Sequence, residues 1–108
     1  MRLFSLKSCD TCRKALAALR AAGHTPDVID VRADGLSEQD RADLIARFGD
    51  ALINRSSTTW RQLTDAEKAQ DTSDLLTTFP TLMKRPVIQN GDLWTLGWKS
   101  DVQDQHLT

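Results

Sequence analysis

The chain has no surplus of either charge, with 14 Lys and Arg against 15 Asp and Glu over 108 residues and a formal net charge of -1. Phosphate-coating proteins carry a large basic excess, so a broad nucleic-acid surface and a direct nucleic-acid partner are not expected, although a small cationic site remains open. Long apolar runs are also missing. None approaches the roughly 20 residues of a membrane span, and Met1-Arg2-Leu3-Phe4-Ser5-Leu6-Lys7 is too short an apolar stretch for a signal peptide, so no membrane association is expected. Cysteine is scarce, with only Cys9 and Cys12. Two thiols so close together cannot staple distant parts of a secreted fold, which points to a reducing, cytoplasmic setting and a reactive role. Internal repeats, low-complexity segments and linkers are absent too.

What remains is one soluble domain spanning 1–108, of which 40% is hydrophobic and 27% charged. A chain of this size buries about two-thirds of its unfolded surface, enough for one core. Arg2 to Leu6 reads as a first strand, and Thr11 to Ala22 as a helix stopped by Gly23 and Pro26. Asp27 to Val31, rich in β-branched residues, is a second strand, which makes a βαβ unit with a parallel pair. Ser37 caps a helix that carries Leu44, Ile45 and Phe48 and ends at Gly49. Asn54 to Trp60 is polar and hydroxyl-rich and reads as a loop. Thr64-Asp65-Ala66-Glu67 has the form of a capping box, and Ser73 to Phe79 is helical until Pro80. Val87-Ile88-Gln89 and Asp92 to Thr95 form an antiparallel hairpin around an Asn90-Gly91 turn. Lys99 to Leu107 is a candidate last helix. This order predicts an α/β protein, a mixed sheet flanked by helices with a helical insertion.

Cys9-Asp10-Thr11-Cys12 joins the first strand to the first helix. Free amides at a helix N-terminus carry partial positive charge and lower the pKa of a thiol placed there, and Lys7 and Arg13 add cationic neighbours. Cys12 opens a stripe with Ala15, Leu16, Leu19 and Ala22, the buried face of an amphipathic helix. An exposed thiolate beside a shielded one suits a nucleophile and its resolving partner. Other readings stand beside this one. Cys12 can be a small core residue. Zinc would need two more ligands, for which only His24, His106 and carboxylates are available at no matching spacing, and no metal is expected. Arg85-Pro86 before a strand allows a cis bond and a fixed cation beside an anionic substrate, or is an ordinary turn with a solvated arginine. Arg55, in Asn54-Arg55-Ser56-Ser57, either lines an anion or glutathione cleft or belongs to a solvated loop. Trp60, Trp94 and Trp98 read as core or pocket-wall residues rather than base-stacking ones.

The chain resembles the arsenate-reductase-related family, which includes ArsC enzymes, Spx regulators and YffB-like proteins. The resemblance rests on Cys9-Asp10-Thr11-Cys12-Arg13-Lys14-Ala15, Asp34-Gly35-Leu36, Asn54 through Leu63, Met83-Lys84-Arg85-Pro86-Val87-Ile88 and Leu96-Gly97-Trp98. It implies a thioredoxin-like fold with a helical insertion, a cis proline at Pro86 facing the cysteine, Cys9 as catalytic cysteine, Arg13 as its helix arginine and Arg85 as the arginine before the proline. ArsC enzymes that work with glutathione and glutaredoxin carry serine where this chain has Cys12, and two further oxyanion-binding arginines. Asn54 stands at one of those places, with Arg55 beside it, and Leu96-Gly97-Trp98-Lys99 lacks an arginine at the other.

These departures weigh against arsenate, and the Trp60-containing loop and the Gly97-Trp98 ending look most like the YffB branch. The resemblance thus implies a thiol-disulfide reductase in which Cys9 attacks and Cys12 resolves, with no bound cofactor and with glutathione as co-substrate. Lys7, Arg55, Arg85 and Pro86 would bind substrate, and glutaredoxin is a candidate partner. Arsenate reduction and a Spx-like redox switch acting on RNA polymerase are the alternatives.

Overall fold

The computed structural model describes residues 1–107. In chain order it contains β1 (Arg2–Ser5), α1 (Asp10–Ala21), β2 (Asp27–Asp30), α2 (Glu38–Phe48), α3 (Thr58–Arg61), α4 (Asp65–Lys68), α5 (Thr72–Thr78), β3 (Val87–Asn90), β4 (Leu93–Leu96) and α6 (Ser100–Leu107), with 3-10 turns at Gly49–Leu52 and Pro80–Leu82. The chain divides into two compact units, one made of Met1–Asp34 and the segment from Arg85 onward, the other of Gly35–Lys84.

The first unit holds the sheet, in the order β2-β1-β3-β4. β1 is parallel to β2 and antiparallel to β3, and β3 is antiparallel to β4, so the expected mixed sheet and βαβ unit are both present. β1 is an inner strand, which explains why its residues are buried without alternation from Leu3 to Ser5. Its two faces still differ, as successive side chains of a strand must. Leu3 packs with Leu19 of α1 and Ile88 of β3, joined by Met1, Leu16 and Trp98. On the other face the Phe4 ring stacks with Trp94 at 6.3 Å, and the Arg2 guanidinium lies over both rings. Trp94 and Trp98 are therefore packing residues, as expected.

The helix ends follow from their sequences. After α1 the amide of Gly23 bonds to the carbonyl of Arg20 and that of His24 to Leu19, each at 3.0 Å. This is the Schellman closure, and it requires the positive φ of 94° that Gly23 adopts. The hairpin departs from expectation by one residue. Asn90 pairs with Leu93, so the two-residue loop is Gly91-Asp92 rather than Asn90-Gly91. Gly91 takes the positive φ, 62°, and no other residue type in the described chain does, which favours a loop with glycine first over one that twists Asn90 as well.

The second unit is helical. Ser37 caps α2 by accepting the Asp40 amide at 3.0 Å, and Thr64 and Glu67 form the predicted capping box of α4. The helix expected at Ser73 starts at Thr72, because Asp71 supplies the cap. The expected loop from Asn54 to Trp60 is only partly one. Ser57 accepts the Trp60 amide at 3.1 Å and so starts the single-turn helix α3 inside it. The core of this unit is built from Leu44, Leu52, Ile53, Leu75, Leu76, Leu82 and Met83, with an isolated bridge between Ile53 and Met83.

Candidate active site

Cys9 is the N-cap of α1. Its backbone is extended, and its sulfur accepts the amide of Cys12 at 3.3 Å. The cap position thus puts the sulfur where serine or aspartate usually receives a free helix amide, and an anionic sulfur is favoured there by the helix dipole. The Cys9 amide is itself tied to the Leu6 carbonyl at 2.9 Å, so the turn between β1 and α1 fixes the residue from both sides. Cys9 is half-buried, whereas Cys12 is 1% exposed, and the two are not joined in a disulfide.

The two thiols are driven in opposite directions. Burial opposes ionisation of Cys9, but the hydrogen bonds it receives from Cys12 and from the Arg85 side chain, with the positive charge of Arg85, outweigh this and lower its pKa from the ordinary 9.0. Cys12 is pushed up to about 11 by burial and by the Cys9 sulfur, against which the Ser5 hydroxyl and the Leu6 amide act. Of the two, Cys9 ionises the more readily and Cys12 the less.

Arg85 is half-buried, and the bond from it to Pro86 is cis, as the sequence expectation had it. Pro86 is buried and its carbonyl accepts the Gly97 amide at 2.8 Å, which anchors this loop to the end of β4. Arg13 is exposed and turned to its own helix end, where it donates to the Lys7 carbonyl at 3.0 Å and pairs with the Asp10 carboxylate. Lys7 is exposed, and its backbone amide is held by Asp30 at 3.0 Å. Cys12, Lys7 and Arg13 meet around a pocket of about 340 Å³ that Ser5, Leu16 and Val28 also line. Arg55 belongs to the second unit, where it is exposed and lies 5.3 Å from the Trp60 ring, with Lys68 over the same ring at 5.6 Å.

Two residues of this region escaped the sequence reading. Asp30 ends β2 with a buried carboxylate that accepts the amides of Lys7, Arg32 and Ala33 at 3.0, 2.9 and 2.7 Å. Those bonds, led by the one from Ala33 and opposed by burial, hold it below the ordinary 3.8. Ser5 lines the same pocket as Cys12. Nothing at either position distinguishes it from a polar residue at the end of a strand. Among the described residues, no three His, Cys, Asp or Glu side chains come together as a metal site.

Residues 4–105 match the model of the ArsC family. An uncharacterized protein of Haemophilus influenzae is 37% identical over 91 residues, covering 80% of each chain. Among solved structures, a YFFB protein superposes with a TM-score of 0.88 at 32% identity, covering 98% of this chain and 97% of that one. An arsenate reductase (ArsC) related protein from Brucella melitensis gives a TM-score of 0.73 at 26% identity, covering 97% and 92%. The helix-flanked mixed sheet is thus of the ArsC-like thioredoxin type, and the family match supports thiol-dependent, reductase-like chemistry. The chain belongs to the ArsC family.

Proposed function

We propose that the protein is a thiol-disulfide reductase that uses glutathione, with Cys9 as nucleophile and Cys12 as resolving thiol. The observation that supports this best is the opposed ionisation of two thiols one helical turn apart, the more exposed one stabilised as thiolate by a helix amide and Arg85. In the first step the Cys9 sulfur attacks a disulfide. The substrate S–S bond breaks, one half stays on Cys9 as a mixed disulfide, and the other leaves as a thiolate that takes a proton from solvent.

Cys12 then loses its proton to solvent and attacks the Cys9 sulfur, releasing the bound half as a second thiolate. The substrate has gained two electrons and the protein has become the Cys9–Cys12 disulfide. Two glutathione molecules return it to the dithiol and leave as glutathione disulfide. Glutaredoxin is a protein partner suited to the same exchange, and the reducing cytoplasm the compartment in which the dithiol form persists. Lys7 and Arg13 at the pocket rim, with Arg85 at Cys9, supply positive charge for the carboxylates of glutathione.

Incubation with oxidised glutathione followed by intact-protein mass spectrometry tests this reading. The expected product is the Cys9–Cys12 disulfide, with a glutathione adduct accumulating on Cys9 in Cys12→Ser and none forming in Cys9→Ser. A protein whose cysteines remain unmodified would overturn it.

A further inference from the structure

The helical unit has a cavity of its own, of about 530 Å³, a size that suits a small molecule. Its wall carries four charged side chains, Asp50, Arg55, Lys68 and Asp71, with Ile45 and the buried Leu75 as apolar neighbours. Each charge comes from a different local element. Asp50 lies in the 3-10 turn after α2, Arg55 stands ahead of the Ser57 cap of α3, Lys68 ends α4, and Asp71 is the N-cap of α5.

One ring holds both cations. The Arg55 guanidinium lies 5.3 Å and the Lys68 ammonium 5.6 Å from the centre of the Trp60 ring, and Arg55 also donates to the Asp50 carbonyl at 3.4 Å. A ring attracts cations without neutralising them. The carboxylates are fixed as well, Asp50 by the Thr72 hydroxyl at 2.7 Å and Asp71 by the Asp74 amide at 2.8 Å. Both donors are neutral, and a carboxylate accepts more than one hydrogen bond. Among the described residues no ion pair joins either cation to either carboxylate.

Two positive and two negative groups around one space select a ligand by its charges. A simple anion meets two carboxylates and a simple cation two basic groups, so either is opposed by as much charge as attracts it. A molecule that carries both signs is not. We propose that this cavity binds a small zwitterion of the α-amino-acid type, its carboxylate on Arg55 and Lys68 and its ammonium on Asp50 and Asp71. The planar guanidinium of Arg55 suits a carboxylate in particular, and the restraint by Trp60 lowers the cost of ordering both cations. The same α-ammonium carboxylate occurs in free amino acids and at the γ-glutamyl end of glutathione. No cysteine takes part, so the inference does not rest on the reductase reading.

Titration of the full chain at pH 7 with L-glutamine and with S-methylglutathione, followed by the Trp60 indole and Thr72 amide signals in NMR spectra, tests this. Neither ligand has a thiol or a disulfide, so reaction at Cys9 does not enter. Both signals should shift to saturation, and N-acetyl-L-glutamine, which lacks the ammonium, should bind about tenfold more weakly, the effect of one lost charged hydrogen bond. Lys68→Gln and Asp71→Asn should each weaken L-glutamine by about as much, and asparagine still serves as a helix cap. Equal affinity for the two zwitterions identifies the free amino acid as sufficient, and tighter binding of S-methylglutathione identifies glutathione as the source. Inorganic phosphate or N-acetyl-L-glutamine binding as tightly as L-glutamine would overturn the inference, as would a lack of saturation with both zwitterions. These comparisons use the unsubstituted chain, so they do not depend on the variants folding. Their failure would leave the reductase reading standing, since that reading is decided by the products formed at Cys9.

Discussion

The backbone amide of Cys12 donates to the sulfur of Cys9 at 3.3 Å, across the first turn of α1. One residue of the pair thereby lowers the pKa of the other, while its own thiol, turned into the core, is raised. The Cys-x-x-Cys spacing matters because it places the second cysteine at the third helical position, where its amide has no acceptor within the helix.

Arg85 is the cation that acts on Cys9, both by a hydrogen bond and by charge. Replacing it with alanine should raise the Cys9 titration midpoint by about one pH unit and slow alkylation at pH 7 accordingly. Arg13→Ala should have the smaller effect, since that guanidinium is engaged with Asp10 and the Lys7 carbonyl. Rates of iodoacetamide labelling across pH 5 to 10 in Cys12→Ser backgrounds measure both.

Asp30 fastens the turn that follows β1 to the turn that follows β2, through three amides. Asp30→Ala leaves these donors without their acceptor and should lower stability by about 3 kcal/mol, measured by urea denaturation at pH 7. Because the folded pKa lies below the ordinary 3.8, this contribution is present above that value and disappears as pH falls through the folded one. The loss in stability caused by Asp30→Ala should therefore shrink at pH 2 to 3.

His106 anchors α6 from within. It is 4% exposed, its Nε2 lies 2.7 Å from the Thr95 hydroxyl, its carbonyl accepts from His24 at 2.9 Å, and its Nδ1 is buried without a hydrogen-bond partner. Burial, with His24 adding repulsion, lowers its pKa from the ordinary 6.5, so the fold holds the neutral ring. A group with a lowered folded pKa of this kind stabilises the fold fully above the unfolded value and progressively less as pH falls below it. Thermal unfolding should show a drop in Tm between pH 7 and pH 5 that His106→Gln reduces. An equal slope in both proteins would place the pH dependence elsewhere.

The elements were legible where local chemistry decides them. Ser37, Thr64 with Glu67, and Gly23 mark their helix ends by capping and by positive φ, and those ends stand where the sequence puts them. The sequence alone puts the hairpin turn at Asn90-Gly91, one residue from its place, because Asn-Gly and Gly-Asp are both good loop pairs and strand pairing chooses between them. Helix α3 was hidden in a hydroxyl-rich segment because a single turn has no apolar period to read.

In the site, the cap position of Cys9 and the burial of Cys12 could be argued from spacing alone. The place of Ser5 in the pocket wall and the contacts of Asp30 could not, since each depends on a strand being brought beside α1 or a turn, and neither side chain is unusual in its own sequence surroundings.

The central claim is that Cys9 is a stabilised thiolate at a helix N-terminus. Titration of Cys9 in Cys12→Ala, followed by thiolate absorbance or alkylation rate, tests it most directly, because the amide of residue 12 remains in place. The account predicts a midpoint below the ordinary value of 9.0 that rises back toward it when Arg85 is replaced. A midpoint at or above 9.0, insensitive to Arg85, would contradict it.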